Sequence, residues 1–254
     1  MVKYEKRGHI GILTIDRPEA RNAVNGEVAE AMEAAIDDLE GDDEVWIGIL
    51  TGNGPVFSAG ADLKAISAGQ AASIQTKRGG FGGIVIRERT KPIIAAVNGP
   101  ALAGGTEMVL ACDLVVASTE AKFGIPEAKR SLVAAAGGLF RLPRKIPFNV
   151  AMELALTGDP IDAERAYHFG LVNRLVEPGT AVDAAIELAE QICANAPLAV
   201  RESRRLVLES IAVDDDAEGV RQSGAALMGL ASTEDFAEGP MAFIEKRDPV
   251  WKGR

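Results

Sequence analysis

The chain has 254 residues, enough for one large domain or for a catalytic domain with a helical extension, and either buries a substantial core. With 47% hydrophobic and 25% charged residues and a mean hydropathy of +0.08, it is globular rather than disordered, and apolar enough to point to oligomer interfaces. Its formal charge of −10, from 27 Lys and Arg against 37 Asp and Glu, repels nucleic acid and anionic membranes at long range, so neither is an expected partner.

The charged stretch Met1 to Arg7 is unlike a signal peptide and runs into the first expected strand, His9 to Asp16, which Arg17-Pro18 closes. From Glu27 to Leu39 the apolar residues Val28, Met32, Ala35, Ile36 and Leu39 recur at helical spacing, and Gly41-Asp42-Asp43 ends the helix. Val45 to Leu50 reads as a short apolar strand. The turn Thr51-Gly52-Asn53-Gly54-Pro55 leads to Phe57 to Lys64, where a second helix begins. Residues 67 to 83 are small, polar and Gly-rich, the composition of a mobile segment over a site.

Ile93 to Val97 is apolar throughout, as in a strand buried on both faces of a partly parallel sheet, and Asn98-Gly99-Pro100 breaks it. A helix starting near Gly104 carries Glu107 to Cys112, and a strand follows at Leu114 to Ala117. This repeated strand, turn and helix is the rhythm of an α/β fold with crossover helices. After Pro147 helical patterns dominate: Val150 to Leu156, Ala181 to Ala194, Leu198 to Ile211, Ala217 to Leu230 and Phe236 to Lys246, with one short strand at Leu171 to Val176. Asn195-Ala196-Pro197 is the clearest hinge and divides a core, residues 1–197, from a C-terminal helical region, residues 198–254. That region is too small to fold alone and is expected to pack on the core or on another subunit. The longest charge-free stretch, Val45 to Ala61, holds Thr, Asn, Ser and several Gly, so no membrane span is expected.

Cys112 and Cys193 are the only cysteines and suit buried thiols in a reducing compartment, which places the protein in the cytoplasm. His9 and His168 are the only histidines, so no His-rich metal site is expected and acid or base work falls to carboxylates. Gly99 to Thr106 has the spacing of a phosphate-binding loop, but Gly105 stands where the lysine must be. Val56 to Gly60 lacks the first glycine of a nucleophile elbow.

What remains is a pair of turns and two acids. Gly104 at a helix start, and Ala61 just after Gly60 at another turn-to-helix junction, each offer a backbone N–H to an anion. Two such groups converging on a carbonyl oxygen form an oxyanion hole. Glu107 lies one helical turn after Gly104, so its carboxylate reaches the same end of the helix. Glu127 follows Pro126, which fixes the backbone before it. Two carboxyls around one activated carbonyl compound suit paired acid/base work. Taken singly, Glu107 also reads as an N-terminal helix charge and Glu127 as a solvated loop residue.

Together these segments resemble the enoyl-CoA hydratase/isomerase (crotonase) family over nearly the whole chain. The resemblance rests on Arg17-Pro18, Asn22-Ala23, Phe57 to Lys64, Lys91 to Gly99, Ala103 to Glu107, Cys112-Asp113, Phe123 to Glu127, Leu156-Thr157-Gly158, Gly170 to Asn173 and Ala242 to Arg247. It implies an α/β spiral of ββα units with a C-terminal helical trimerisation region, and a homotrimer or dimer of trimers. It further implies an acyl-CoA thioester substrate and no separate cofactor, coenzyme A being part of that substrate. Carried over, Ala61 and Gly104 are the oxyanion donors, Glu107 and Glu127 the catalytic pair, and Ala59, Asp62, Leu63 and Lys64 line the CoA site with Phe243 and Lys246 from the last helix. Family members with hydratase activity carry two glutamates at this offset, so the resemblance implies an enoyl-CoA hydratase, a hydro-lyase of fatty-acid β-oxidation type. The tail Lys246 to Arg254 resembles carnitinyl-CoA dehydratase-type members, which keeps that reaction open, as does Δ3-Δ2 enoyl-CoA isomerisation. A non-catalytic CoA- or RNA-binding member is the remaining alternative. The stretch Ser131 to Gly138 departs from the hydratase pattern Gly-x-x-Pro-x-x-Gly-Gly, which points to a different acyl-pocket wall.

Overall fold

The apolar runs read above become the centre of a six-stranded sheet in the computed structural model, which describes residues 1–254. β1 (Val2–Arg7) and β2 (Ile10–Ile15) form an antiparallel edge pair, and α1 (Gly26–Gly41) leads to β3 (Ile47–Gly52). After α2 (Leu63–Ser67) and the two-residue strands β4 (Gln75–Thr76) and β5 (Gly80–Phe81), the chain re-enters the sheet as β6 (Ile93–Val97). β7 (Ala101–Leu102), α3 (Gly104–Ala111), β8 (Leu114–Ser118) and β9 (Lys122–Gly124) follow. Next come α4 (Gly138–Lys145), α5 (Phe148–Thr157), β10 (Ile161–Asp162), α6 (Ala163–His168) and β11 (Arg174–Val176). Four helices close the chain: α7 (Ala181–Cys193), α8 (Pro197–Glu209), α9 (Asp216–Leu230) and α10 (Glu234–Glu245). No helix is long and apolar enough to cross a membrane.

The large sheet runs β1-β2-β3-β6-β8-β11 and is parallel from β2 onward, while β10-β9-β7 forms a second, smaller sheet. From β2 to β9 the repeats place a long strand in the first sheet, then a short strand or bridge beside the second, and a helix; β11 leads straight into α7. Even Ser58 joins, through a parallel bridge to Ala101. This is the expected spiral of ββα units. The central strands are buried on both faces, as their unbroken apolar sequence requires. Ile12, Ile47, Ile49, Ile94 and Val116 face Ala185 and Ala189 of α7, while the alternate residues Leu13, Leu50, Ile93 and Ala95 enter the main core.

Beyond the unforeseen α6 and short strands β7, β9 and β10, the structure departs from the sequence reading in three further places. Val2–Arg7 is a strand rather than a charged lead-in, with Val2 and Tyr4 half-buried between exposed Lys3 and Glu5; the charged outer face is what keeps this edge from pairing with other chains. Gly138–Lys145 is a helix that periodicity hides, because it opens on glycine and carries Pro143, which forfeits one helical hydrogen bond. The glycine run at 79–83 serves close packing rather than mobility. Thr76 Oγ1 and Gly79 N donate to Glu33 of α1, Arg78 pairs with Glu33 and Asp37, and a Cβ on Gly83 would stand 2.2 Å from Ala29 O. Phe81 is thereby buried against Gly104.

Two cationic latches fasten the helices to the sheet. Arg204 of α8 donates to Asp113 Oδ1 (2.9 Å) and Arg89 O (2.7 Å), and Asp113 Oδ2 accepts from Ile93 N of β6 (2.8 Å). α8 begins at Pro197, the residue on which the expected core ends. Lys91 is 1% exposed, and its ammonium donates to the carbonyls of Leu39 (2.7 Å), Glu40 (3.1 Å) and Asp42 (2.7 Å) at the C-terminal end of α1, where the helix dipole favours a cation. Burial, with Arg201 nearby, pulls this lysine below its ordinary pKa. Lys91→Met leaves those carbonyls without their donor and is expected to cost about 3 kcal/mol in urea unfolding. An unchanged midpoint would show that the three bonds contribute nothing net.

Candidate active site

Two turns of the spiral end side by side. In the first, Ser58 N donates to Pro100 O, Ala59 N to Arg21 O, Gly60 N to Ser58 Oγ and Asp62 N to Val24 O. Ala61 N alone among these five amides has no acceptor. In the second, Ala103 N donates to Gly124 O and Glu107 N to Ala103 O, leaving Gly104 N, in the first turn of α3, equally free. The two amides are neighbours: a Cβ on Gly60, whose φ is +86°, would lie 2.8 Å from Gly104 N. Only glycine allows both that dihedral and that approach.

Ala103 pays for the second turn. Its φ of 52° and ψ of −126° are costly for a residue with a side chain, about 1–3 kcal/mol, and place Gly104 N beside the first loop. Thr106, fully buried, holds the turn: its hydroxyl lies 2.6 Å from Ala101 O and 2.8 Å from Gly124 O and accepts from Gly124 N at 3.0 Å.

Glu107 is 3% exposed and accepts from Gly138 N at 2.9 Å, at the N-terminus of α4. Glu127 sits in a 3₁₀ turn, Pro126–Arg130, and its Oε2 is buried with no partner. Burial pushes both carboxyls above the ordinary carboxylate range. For Glu107 the adjacent Glu127 adds to the rise, while the amides of Gly138 and Ala136 and the charge of Arg141 oppose it. Ile125 and Gly138, beside these acids, also line an apolar cavity of about 120 Å³ with Leu139, Leu142, Phe148 and Met152.

The structure thus brings Ala61, Gly104, Glu107 and Glu127 together. Of the loop after Ala61, Asp62 is spent locally: it caps α2 through Lys64 N (3.0 Å) and Ala65 N (3.3 Å) and pairs with Arg17 at 3.2 Å. Although it is partly desolvated, those bonds hold its carboxyl below the ordinary range. Ala59 is half-buried beside it, and Leu63 and Lys64 are exposed. Phe243, 86% exposed, and Lys246, in the left-handed C-cap of α10, stand apart from this centre. Sequence reasoning missed the strain at Ala103, the anchor at Gly138 and the seat of Phe81. The Gly-Gly pairs at 104–105 and 137–138 were the available signal.

Free amides at two turns, with a buried and a half-buried acid close by in an α/β spiral, suit an enzyme that stabilises charge on a carbonyl oxygen while moving protons. The profile of the enoyl-CoA hydratase/isomerase family matches residues 5–254. The fold is similar to that of an enoyl-CoA hydratase from Mycobacterium tuberculosis, at 50% identity and a TM-score of 0.95, over 100% of this chain and 99% of that one. A carnitinyl-CoA hydratase from Mycobacterium avium is similar at 46% identity and a TM-score of 0.77, over 100% and 98%. A carnitinyl-CoA dehydratase of Citrobacter koseri is 41% identical over 257 residues, 99% of this chain and 98% of that protein. The chain belongs to the enoyl-CoA hydratase/isomerase family, and it is an enzyme of that family's hydratase type, a hydro-lyase.

Proposed function

We propose that this enzyme adds water reversibly across the 2,3 double bond of an enoyl-CoA thioester. The observation that carries the reading is the buried Glu107 and the half-buried Glu127, whose Oε2 has no partner, beside two acceptor-free amides. The thioester oxygen accepts from Ala61 N and Gly104 N. Glu107 takes a proton from water as its oxygen bonds to Cβ, the double-bond electrons move onto the thioester as an enolate, and Glu127 gives its proton to Cα. The product is a 3-hydroxyacyl-CoA, and the proton on Glu107 returns to Glu127 through solvent. Because the enolate charge exists only on the way to product, the two amides stabilise the transition state more than the substrate.

The exposed Leu63 and Lys64 are the groups of the first loop available to the CoA moiety. Apolar side chains left exposed on the last three helices, among them Val207, Val220, Met228, Phe243 and Ile244, supply the faces that a homotrimer or dimer of trimers would cover. In that assembly Phe243 and Lys246 would reach CoA. The two cysteines are unpaired, and burial raises their thiols to about 12 for Cys112 and about 11 for Cys193, which suits a cytoplasmic enzyme.

Crotonyl-CoA mixed with the enzyme should lose its conjugated enoyl-thioester absorbance in a protein-dependent way. Binding without loss of absorbance, together with turnover of crotonobetainyl-CoA, would move the assignment to the carnitinyl-CoA type, whose members are the named relatives at 40–41% identity. Double-bond migration faster than water addition would favour the isomerase instead.

A further inference from the structure

Arg141 is in direct ion-pair contact with no carboxylate. Arg17, Arg78, Arg87, Arg89, Arg165 and Arg204 all have acidic partners, whereas the partly buried Arg141 forms no ion pair. Its guanidinium donates instead to two carbonyls: Ala136 O at 3.3 Å through Nη1, and Val85 O through Nη2. Ala136 belongs to the turn that opens α4, and Gly138 of that turn donates to Glu107. Val85 belongs to the segment that follows the packed glycine run and Phe81, so one side chain ties the wall behind Gly104 to the turn that anchors Glu107.

The charges that face Glu107 come from two elements, Glu127 in the 3₁₀ turn and Arg141 in α4. Behind Arg141 stand Arg89, Arg144 and the thiol of Cys112. The charge of Arg141 thus opposes the two features that push Glu107 toward its neutral form, burial and the neighbouring acid.

We infer that Arg141 is a positioning residue for the reaction: it fixes the Ala136–Gly138 turn whose amide holds Glu107 in place to act as base. The inference rests on the proposed hydration. A guanidinium suits the task better than an ammonium because its planar fork serves two carbonyls at once while remaining charged.

The test is R141Q and R141K in the full-length enzyme, each checked for folding by circular dichroism, with crotonyl-CoA hydration followed across pH. R141Q is expected to lower kcat by about 10- to 100-fold with KM little changed, and to move the acid limb of kcat/KM to higher pH. R141K, which keeps the charge, should restore the position of the limb and only part of kcat, and it carries the test if R141Q does not fold. In an E107Q background the loss caused by R141Q should shrink severalfold, since a residue acting through Glu107 has little left to act on. An unmoved acid limb, or an undiminished loss in the E107Q background, overturns the inference. If the wild-type enzyme hydrates no enoyl-CoA, the reading of function falls and Arg141 is judged by stability alone. At pH 8, E107Q should then raise the unfolding temperature more in the R141Q background than in the wild type, and equal gains would overturn the inference.

Discussion

Replacing either acid by its amide, Glu107→Gln or Glu127→Gln, is expected to lower the turnover of an enoyl-CoA by about 10²–10⁴-fold while leaving CoA-thioester binding nearly intact. The reason is chemical rather than steric. Glutamine matches glutamate in size, and at 107 it can still accept from Gly138 N, but it neither takes a proton from water nor gives one to carbon. Because burial raises both carboxyls, the acid limb of the wild-type profile should fall above the ordinary carboxylate range, and the two limbs belong to the pair as a unit.

The sign of the stability effect follows from the same burial. An acid whose folded pKa lies above its unfolded value binds more protons in the native state across the interval between them. Stability therefore falls as pH rises through that window, by about 1.4 kcal/mol for each unit of separation. Glu107→Gln removes this loss, so the variant should unfold at a higher temperature than the wild type at pH 8, with the gap closing toward pH 4. An inactive but more stable protein is the expected combination. Near-normal turnover in both variants would sink the assignment of the acid pair.

The second large effect is expected at Gly60, a residue that donates nothing to the substrate. An alanine there would carry its methyl 2.8 Å from Gly104 N and 3.0 Å from both Ala103 Cβ and Leu102 O, at a φ of +86°. The two turns must then separate, and the amides of Ala61 and Gly104 cease to converge. Losing one such donor raises the barrier by about 2.7–4 kcal/mol, so kcat should fall by about 10²–10³-fold. The strained dihedral should also cost about 1–3 kcal/mol in thermal or urea unfolding. If kcat is preserved while stability drops, the two amides do not form the oxyanion site.

Much of this was legible in the order of residues. The central strands announced themselves as unbroken apolar runs, since a strand covered on both faces has no polar side to show, and α1 by a stripe ending at Gly41. Both acids and both free amides were also readable, because turn-to-helix junctions are written in glycine and small residues. What misled was composition taken without context. The glycine run at 79–83 has the makeup of a flexible loop, yet Gly83 is glycine because Ala29 O leaves no room for a Cβ, and Gly79 because Gly83 O does not. For Asp62, among the expected CoA contacts, local sequence carried no sign that its carboxylate bonds Arg17 and the start of α2.

The sequence by itself therefore determined the class of fold and the family, because these depend on local periodicity, motif and residue type. Only the tertiary structure decided that the Gly60–Ala61 turn lies against Gly104 N, that Gly138 holds Glu107, and that burial shifts both acids together. Those are distances between segments separated by tens of residues, and they arise from the packing of successive turns of the spiral, which no local pattern encodes.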